Sequence, residues 1–272
     1  GVGLIMCGPV AGGASISVGY NLLIANFYAP VYGTVWVGSV LGHVTLPSIA
    51  GGHVHAAQAY DLHVTGYILG QLDVTGALTA SDVDDGIVGP ISFIEAGSID
   101  GLTVSSVVAG HISTTEGDIR NLTLSGSNGR LDGTVYAAGS LFNVQIDGGI
   151  AAGGLLEAQG DIYGLTIGSA AGELDGTVKA SNGILANAEI NGGIGMQGLL
   201  VAPTISDFLT VNGPIAGTVR AINTLDGSIV GTWTLTATGL IEVGSLTGAV
   251  NSLSSVYGSI VVHQDLAGWV WM

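Results

Sequence analysis

The chain contains an internal repeat with a period of about 20 residues. Between residues 133 and 217, four consecutive units begin with a glycine, at Gly133, Gly154, Gly176 and Gly198. Each unit contains an apolar run rich in Val, Ile and Leu, a corner rich in Gly, Asn and Asp, and a second apolar run. Short β-like runs at this period are typical of a solenoid, in which each unit is one turn of a coil.

The repeat extends well beyond these four units. Coil starts are predicted at Gly33, Gly52, Gly70, Ile91, Gly110, Gly133, Gly154, Gly176, Gly198, Gly217, Gly239 and Gly258. Because matching residues recur once per coil, stacked coils would place like strands side by side in parallel, about 4.8 Å apart. The sequence therefore predicts an all-β chain folded as a parallel β-helix of about 11–12 coils, each of roughly 20–22 residues.

The composition agrees with strands rather than with helices or disorder. The 272 residues include 47 glycines, and 47% are apolar while only 9% are charged. Disordered chains need low hydrophobicity and high charge, and no stretch shows a sustained helical period with end caps. Residues 33–272 show no break in composition, which predicts one continuous solenoid domain; residues 1–32 are interpreted as low-charge coils or an assembly end.

The balance of charge excludes some classes of partner. Twenty acidic residues against four basic ones give a formal net charge of −16. Such a surface repels nucleic acid and anionic membranes. The uncharged N-terminal region is interrupted by Asn21, Asn26 and Pro30, so it lacks the unbroken apolar run of a membrane span. We therefore expect neither nucleic-acid binding nor membrane insertion.

The register of the repeat assigns residues to columns that run along the stack. One outward column is predicted to contain Trp36, His55, Asp73, Ile94, Ser113, Tyr136, Glu157, Lys179, Val201, Arg220, Glu242 and Val261. A second is predicted to contain Thr45, Thr65, Thr103, Thr123, Gln145, Thr166, Glu189 and Thr210. An inward set is predicted to contain Val135, Val178 and Val219, with Ala137, Ala158, Ala180, Ala202 and Ala221 at tight places. In the first column opposite charges meet on neighbouring coils, and each such pair contributes at most about 1 kcal/mol if exposed.

Asp-Gly and Asn-Gly pairs recur through the repeat and predict its corners. They begin at Asp85, Asp100, Asn128, Asp132, Asp147, Asp175, Asn182, Asn191, Asn212 and Asp226. Asp, Asn and Gly tolerate positive φ better than other residues. These pairs are therefore expected to hold the left-handed backbone that sharp corners need.

Four histidines near the start of the repeat form a candidate metal site. His53 and His55 are two residues apart on one predicted strand face, and His43 and His63 are expected at matching positions on adjacent coils. Imidazole nitrogens suit Zn, Cu or Ni, so this set predicts a divalent transition-metal site. The alternative interpretation is that the four side chains stack on the surface without a Cys or Glu nearby to complete a site.

An acidic cluster forms the second candidate. Asp82, Asp84 and Asp85 lie together in TASDVDDG, and they are interpreted as solvated turn carboxylates, as a weak calcium site, or as a catalytic carboxylate pair. The corners are short throughout and cations are few, unlike the loop-built charged grooves of catalytic β-helices. We therefore expect no enzymatic activity, and no cofactor other than a bound calcium or transition-metal ion.

Over about residues 33–268 the repeat follows the pattern G-[TS]-[VI]-x-A-x-G-x-[IL]-x-x-L-T-[VI]. This pattern resembles the Gly-rich β-strand repeats of bacterial extracellular surface proteins. It is similar to autotransporter passengers, to filamentous adhesins and especially to long repeat arrays in surface proteins of Planctomycetes. The resemblance implies a right-handed winding of the β-helix. It also implies an extracellular or cell-surface location and a structural or adhesive role.

Two features favour self-association. The first 60 residues contain no Asp, Glu, Lys or Arg, and the last coil carries Trp269 and Trp271 in AGWVWM, so neither end shows a polar cap. Exposed strand edges pair with other chains unless they are blocked. These features predict a rod that assembles into a filament or surface layer, with Trp36, Trp269 and Trp271 at the interface. The alternatives are a stalk or adhesin segment of a larger surface protein, or a β-helix that binds or degrades a surface polysaccharide.

Overall fold

The computed structural model describes residues 5–168, 172–252 and 255–271. Within these ranges the chain forms β-strands throughout, and none of the described residues belongs to a helix that could cross a lipid bilayer. The first strands are β1 (Ile5–Cys7), β2 (Ser15–Val18), β3 (Leu22–Phe27), β4 (Thr34–Leu46), β5 (His53–Tyr60), β6 (Leu62–Val64), β7 (Tyr67–Ile68), β8 (Gln71–Val83) and β9 (Gly86–Ile87). The middle strands are β10 (Phe93–Val104), β11 (His111–Thr114), β12 (Ile119–Leu124), β13 (Thr134–Ala137), β14 (Leu141–Ile146), β15 (Leu155–Ala158), β16 (Ile162–Ile167), β17 (Thr177–Ala180) and β18 (Ile184–Ile190). The last strands are β19 (Leu199–Val211), β20 (Thr218–Leu225), β21 (Ser228–Val230), β22 (Leu240–Leu246), β23 (Ala249–Asn251), β24 (Ser259–Val262) and β25 (Trp269–Trp271).

The strands stack into parallel ladders that define three faces of the coil. The first face joins, in stacking order, β2, β4, β5, β8, β10, β11, β13, β15, β17, β19, β20, β22 and β24. The second face joins β1, β3, β4, β6, β8, β10, β12, β14, β16, β18, β19, β21, β23 and β25. The longest strands, β4, β8, β10 and β19, continue around the corner from the first face to the second.

The third face is a column of apolar residues, most of them paired through isolated parallel bridges. Its members are Val10, Val31, Ile49, Ile68, Ile87, Val108, Leu131, Ile150, Leu174, Ile194, Ile215, Leu235 and Val256, at intervals of 18 to 24 residues. The column shows a β-solenoid of about 13 turns, which confirms the predicted fold class. The structure adds about one turn to the predicted 11–12 coils, because residues 5–32, interpreted as low-charge coils or an assembly end, form strands in the same ladders.

The interior is filled by small and branched apolar side chains. On β13, β15 and β17 alternate residues are buried, as expected for strands with one face toward a core. The valines and alanines predicted to point inward are all buried, which confirms that part of the register. Complete burial of one such Val, Leu or Ile side chain contributes about 1.5–3 kcal/mol, so the stacked columns are the main source of stability.

Two positions of the predicted outward columns are wrong. Glu95, not Ile94, lies between Asp73 and Ser113 on the first face, and Ile94 is completely buried. This coil begins at Ser92, one residue later than predicted, and a one-residue slip moves a strand's side chains to the opposite face. In the second column, His63 and Asp82 occupy the places between Thr45 and Thr103, so Thr65 does not belong there.

Left-handed backbone forms one column in the middle of the second face. It contains Asp61, Ala80, Gly101, Asn121, Asn143, Gly164, Asn187 and Asp207, on successive coils, with φ between 47° and 79°. The prediction for the Asp-Gly and Asn-Gly pairs is wrong for their Asp and Asn residues, none of which has positive φ. Among the glycines that follow, only Gly86 and Gly101 are left-handed. Left-handed backbone therefore occurs within the strands of the second face as well as at corners, where Gly149 and Gly193 each directly follow one of these pairs.

Candidate functional site

The structure divides the four predicted metal-binding histidines between two faces. His53 and His55 lie on β5 of the first face, whereas His43 on β4 and His63 on β6 lie on the second. The expectation that His43 and His63 match on adjacent coils is wrong, because Thr45 is the residue that pairs with His63. His43 instead pairs through Nδ1 with the carboxylate of Asp61 on the next coil.

The first-face cluster consists of His53, His55 and Asp73. The histidines project from the same side of β5, and their ring centroids are 6.2 Å apart. Asp73 on β8 is the register partner of His55, and its Oδ2 lies 2.8 Å from His55 Nδ1 and 4.0 Å from His53 Nε2. The cluster therefore brings two imidazoles and one carboxylate together across two coils.

The second-face cluster consists of His63, Asp82 and Asp84. His63 Nδ1 pairs with Asp82, and His63 Nε2 lies 3.6 Å from Asp84 Oδ2. The predicted acidic cluster and one of the predicted histidines are thus neighbours in space, although the sequence treats them as separate candidates. The sequence does contain a pattern that predicts these His–Asp pairs. His43, His55 and His63 each precede an aspartate by 18 or 19 residues, which is the length of one coil.

A polar groove crosses the second face between the coils of β12 and β19. It has a volume of about 610 Å³. It is lined by the amides of Asn121, Asn143 and Asn187 from the left-handed column, by outward residues such as Thr166, and by Phe208 on the last of these coils. Asn143 Nδ2 donates to Asn121 Oδ1 at 3.2 Å, so the amides also hold one another in place. The groove was not predicted, although several of its lining residues belong to the predicted threonine-rich column.

Each of the four cations lies beside a carboxylate. Lys179 Nζ is 2.7 Å from Glu157 Oε1, and Arg220 Nη2 is 2.6 Å from Glu242 Oε2, which confirms the charge pairs expected between neighbouring coils. Burial alone would raise the pKa of Glu157, but hydrogen bonds from Lys179 and Ser181, with the charge of Lys179, lower it below its usual value. Arg120 and Arg130 pair with an aspartate two residues away on their own coils.

The end coil, formed by residues 255–271, exposes a large apolar surface. Leu266 and Val270 continue columns whose preceding members, Leu246 and Val250, are buried, yet they are 63% and 36% exposed. Trp269 and Trp271 lie on the same coil and are also exposed. Of the predicted interface residues, Trp36 lies elsewhere: it is on the first face near the other end, with its ring stacked on His55.

No protein-family model, curated protein or solved structure matches this chain. The assignment of the fold as a parallel β-solenoid of about 13 turns therefore rests on the pairing of strands within this chain.

Proposed function

We propose that this chain is an extracellular structural protein, a solenoid rod that self-associates end to end into filaments. The observation that carries the proposal is the exposed apolar surface of the end coil. Leu266 and Val270 stand in columns that are buried throughout the preceding coils, so the surface has the chemistry of a solenoid interior. Exposed apolar patches of this kind mark interaction sites.

The direction of the strands supports a second copy as the occupant. Strands β24 and β25 at one end, and β1 and β2 at the other, each pair with one neighbour among the described residues. Because every ladder is parallel, a second copy placed one coil further along would continue each ladder in the same direction. Such a head-to-tail contact does not close on itself and generates an open filament.

The distribution of charge favours end-to-end over side-by-side contact. All twenty acidic residues except Asp265 lie between residues 61 and 242, whereas residues 1–60 carry none. The sides of two rods therefore repel each other at low salt, while the ends meet with little electrostatic cost. This distribution supports filaments rather than sheets.

The experiment is to compare the chain with a variant that carries Leu266→Asp and Val270→Asp. Both side chains are exposed, so the monomer is expected to fold, whereas two carboxylates in an apolar contact would prevent stacking. In sedimentation velocity the unmodified chain is expected to form species that lengthen with concentration, and electron microscopy is expected to show thin filaments. The variant is expected to remain a monomer.

The matched control is Ile91→Asp, a charge placed on the side of the solenoid. Ile91 is 76% exposed just before β10, eight coils before β24 of the end coil, so this variant is expected to assemble like the unmodified chain. A chain that stays monomeric at high concentration would overturn the proposal and would favour the alternative of a stalk or adhesin segment within a larger surface protein.

A second candidate function, polysaccharide binding, is favoured by the groove on the second face. Amide and hydroxyl side chains on successive coils present donors and acceptors at a regular spacing of about 4.8 Å, and Phe208 adds an apolar ring. A glycan array is the test, with Asn143→Ala and Phe208→Ala expected to reduce any binding seen. Binding that is unchanged in both variants would place the glycan elsewhere.

A further inference from the structure

Three potential metal ligands converge on the first face, one from each side chain of the first-face cluster. His53 and His55 project together because alternate residues of a strand share a face. Asp73 comes from the next coil, at the register position of His55. One nitrogen from each histidine and one carboxylate oxygen of Asp73 all lie within 4.8 Å of one another.

One of these three atoms lacks a partner. His53 Nε2 is shielded from solvent, and within the described part of the chain it has no hydrogen-bond partner. A buried polar nitrogen without a partner is rare and unfavourable. Its nearest charged neighbour, Asp73 Oδ2, lies 4.0 Å away, too far for a hydrogen bond.

The spacing is compatible with a bound ion, whereas a hydrogen bond accounts only for the His55–Asp73 pair. Bonds of about 2.0–2.1 Å to a tetrahedral ion place two ligand atoms about 3.3 Å apart. The distances from Asp73 Oδ2 to the two histidines, 2.8 Å and 4.0 Å, lie on either side of that value, so small side-chain rotations bring all three atoms onto one ion. We propose that His53, His55 and Asp73 bind a divalent transition-metal ion, with water completing its coordination.

The ligand types select the class of ion. Two imidazole nitrogens with one carboxylate suit Zn²⁺, Cu²⁺ or Ni²⁺, whereas Ca²⁺ and Mg²⁺ take oxygen ligands. The net charge of −16 also raises the local concentration of cations. Bound here, the ion would join the coil of β5 to the coil of β8, in addition to their backbone ladder.

The second-face cluster has similar residues but a different geometry. His63 faces Asp82 with Nδ1 and Asp84 with Nε2. Because the two nitrogens of one ring point in different directions, a single ion can bind only one of them. That cluster therefore offers one imidazole nitrogen and two carboxylate oxygens, one imidazole fewer than the first-face cluster, and it provides an internal comparison.

The test is calorimetric titration of the untagged, chelator-stripped chain with zinc chloride. One tight site per chain is expected. His53→Ala and His55→Ala are each expected to weaken binding by at least about 10-fold, since even outer-shell losses cost that much. The matched control is His111→Ala. His111 lies in the same outward column as His53, three coils further along, and within the described ranges it forms no ion pair with a carboxylate. It is expected to bind zinc like the unmodified chain.

A second measurement locates the ion independently of affinity. The Trp36 ring stacks on His55, with centroids 6.1 Å apart and planes at 9°, so Cu²⁺ in the first-face cluster is expected to quench Trp36 fluorescence. Trp36→Phe should remove that quenching and keep zinc binding. The proposal is overturned if the unmodified chain binds no zinc, if His53→Ala and His55→Ala bind it unchanged, or if His63→Ala rather than these variants abolishes binding.

Discussion

The glycine that begins most coils lies against the backbone of the coil before it. A Cβ added at Gly133, Gly176 or Gly217 would overlap with the carbonyl oxygen of the glycine one coil earlier. None of these three glycines has positive φ. They are therefore needed for close approach of two backbones, and not for a left-handed conformation.

This explanation predicts that Gly133→Ala destabilises the chain. The new methyl group would force the coils apart against the Gly110 carbonyl, and overpacking of this kind costs about 1–3 kcal/mol. The measurement is the free energy of unfolding from denaturant titration. Gly153→Ala is the control, because its added Cβ would meet only Asp132 O, at 3.8 Å, and it is expected to be neutral or slightly stabilising. Equal losses in the two variants would argue against close approach as the cause.

At the scale of strands, the second face bends at one left-handed residue in each of eight successive coils. Most residues of the left-handed column are Asn, Asp or Gly, which accept positive φ, but Ala80 on β8 has a φ of 47°. An alanine in this conformation costs about 1–2 kcal/mol. The ladder on both sides of Ala80 therefore holds a locally unfavourable residue in place.

Replacing Ala80 by glycine is expected to stabilise the chain. Removal of the Cβ relieves the left-handed strain, and the added flexibility of glycine offsets part of the gain, which leaves about 0.5–1 kcal/mol. Ala77→Gly on the same strand, where φ is not positive, is expected to lose about 0.5–1 kcal/mol instead. Thermal unfolding of both variants, measured side by side, tests the opposite signs.

Neighbouring strands of the first face are also joined by charge. The pKa of Glu157 is lowered in the folded chain, so the ionised form favours folding at neutral pH, and this contribution is lost as the pH falls through the lowered pKa. Lys179 is 44% exposed, so the contribution is no more than about 1 kcal/mol. In urea unfolding, the difference in stability between the unmodified chain and Glu157→Gln is expected to be present at neutral pH and to shrink as the pH falls through the lowered pKa of Glu157. A difference that grows on acidification would contradict this assignment.

At the scale of the whole molecule, charge is unevenly distributed along the solenoid: residues 61–242 carry nineteen of the twenty acidic residues, and residues 1–60 carry none. Screening weakens repulsion between exposed charges once the Debye length falls to about 3 Å, near 1 M salt. On the proposed end-to-end assembly, added salt is therefore expected to convert single filaments into lateral bundles, while the proposed apolar contacts between ends persist. Electron microscopy across a salt series is the measurement. Filaments that dissociate into monomers at high salt would show that charge, not apolar burial, holds the ends together.

The sequence by itself was sufficient for the architecture. The Gly-led period predicts a parallel solenoid, and the places of Val135, Val178 and Ala158 in its interior follow from alternation along each strand. Cross-coil pairs such as Glu157 with Lys179 follow as well, because the coils around them are regular. Where the repeat is regular, one coil determines the register of the next.

Only the tertiary structure decided which polar side chains meet. Coil lengths vary, and the sequence alone does not show at which corner the extra residue of a longer coil lies. The coil that begins at Ser92 therefore moves Glu95 into the place assigned to Ile94, and His63 takes the place assigned to Thr65. The His–Asp clusters, the left-handed column and the groove all depend on that alignment. They arise from contacts between residues a whole coil apart, because an extra residue at a corner changes which side chains become neighbours while leaving the local apolar pattern intact.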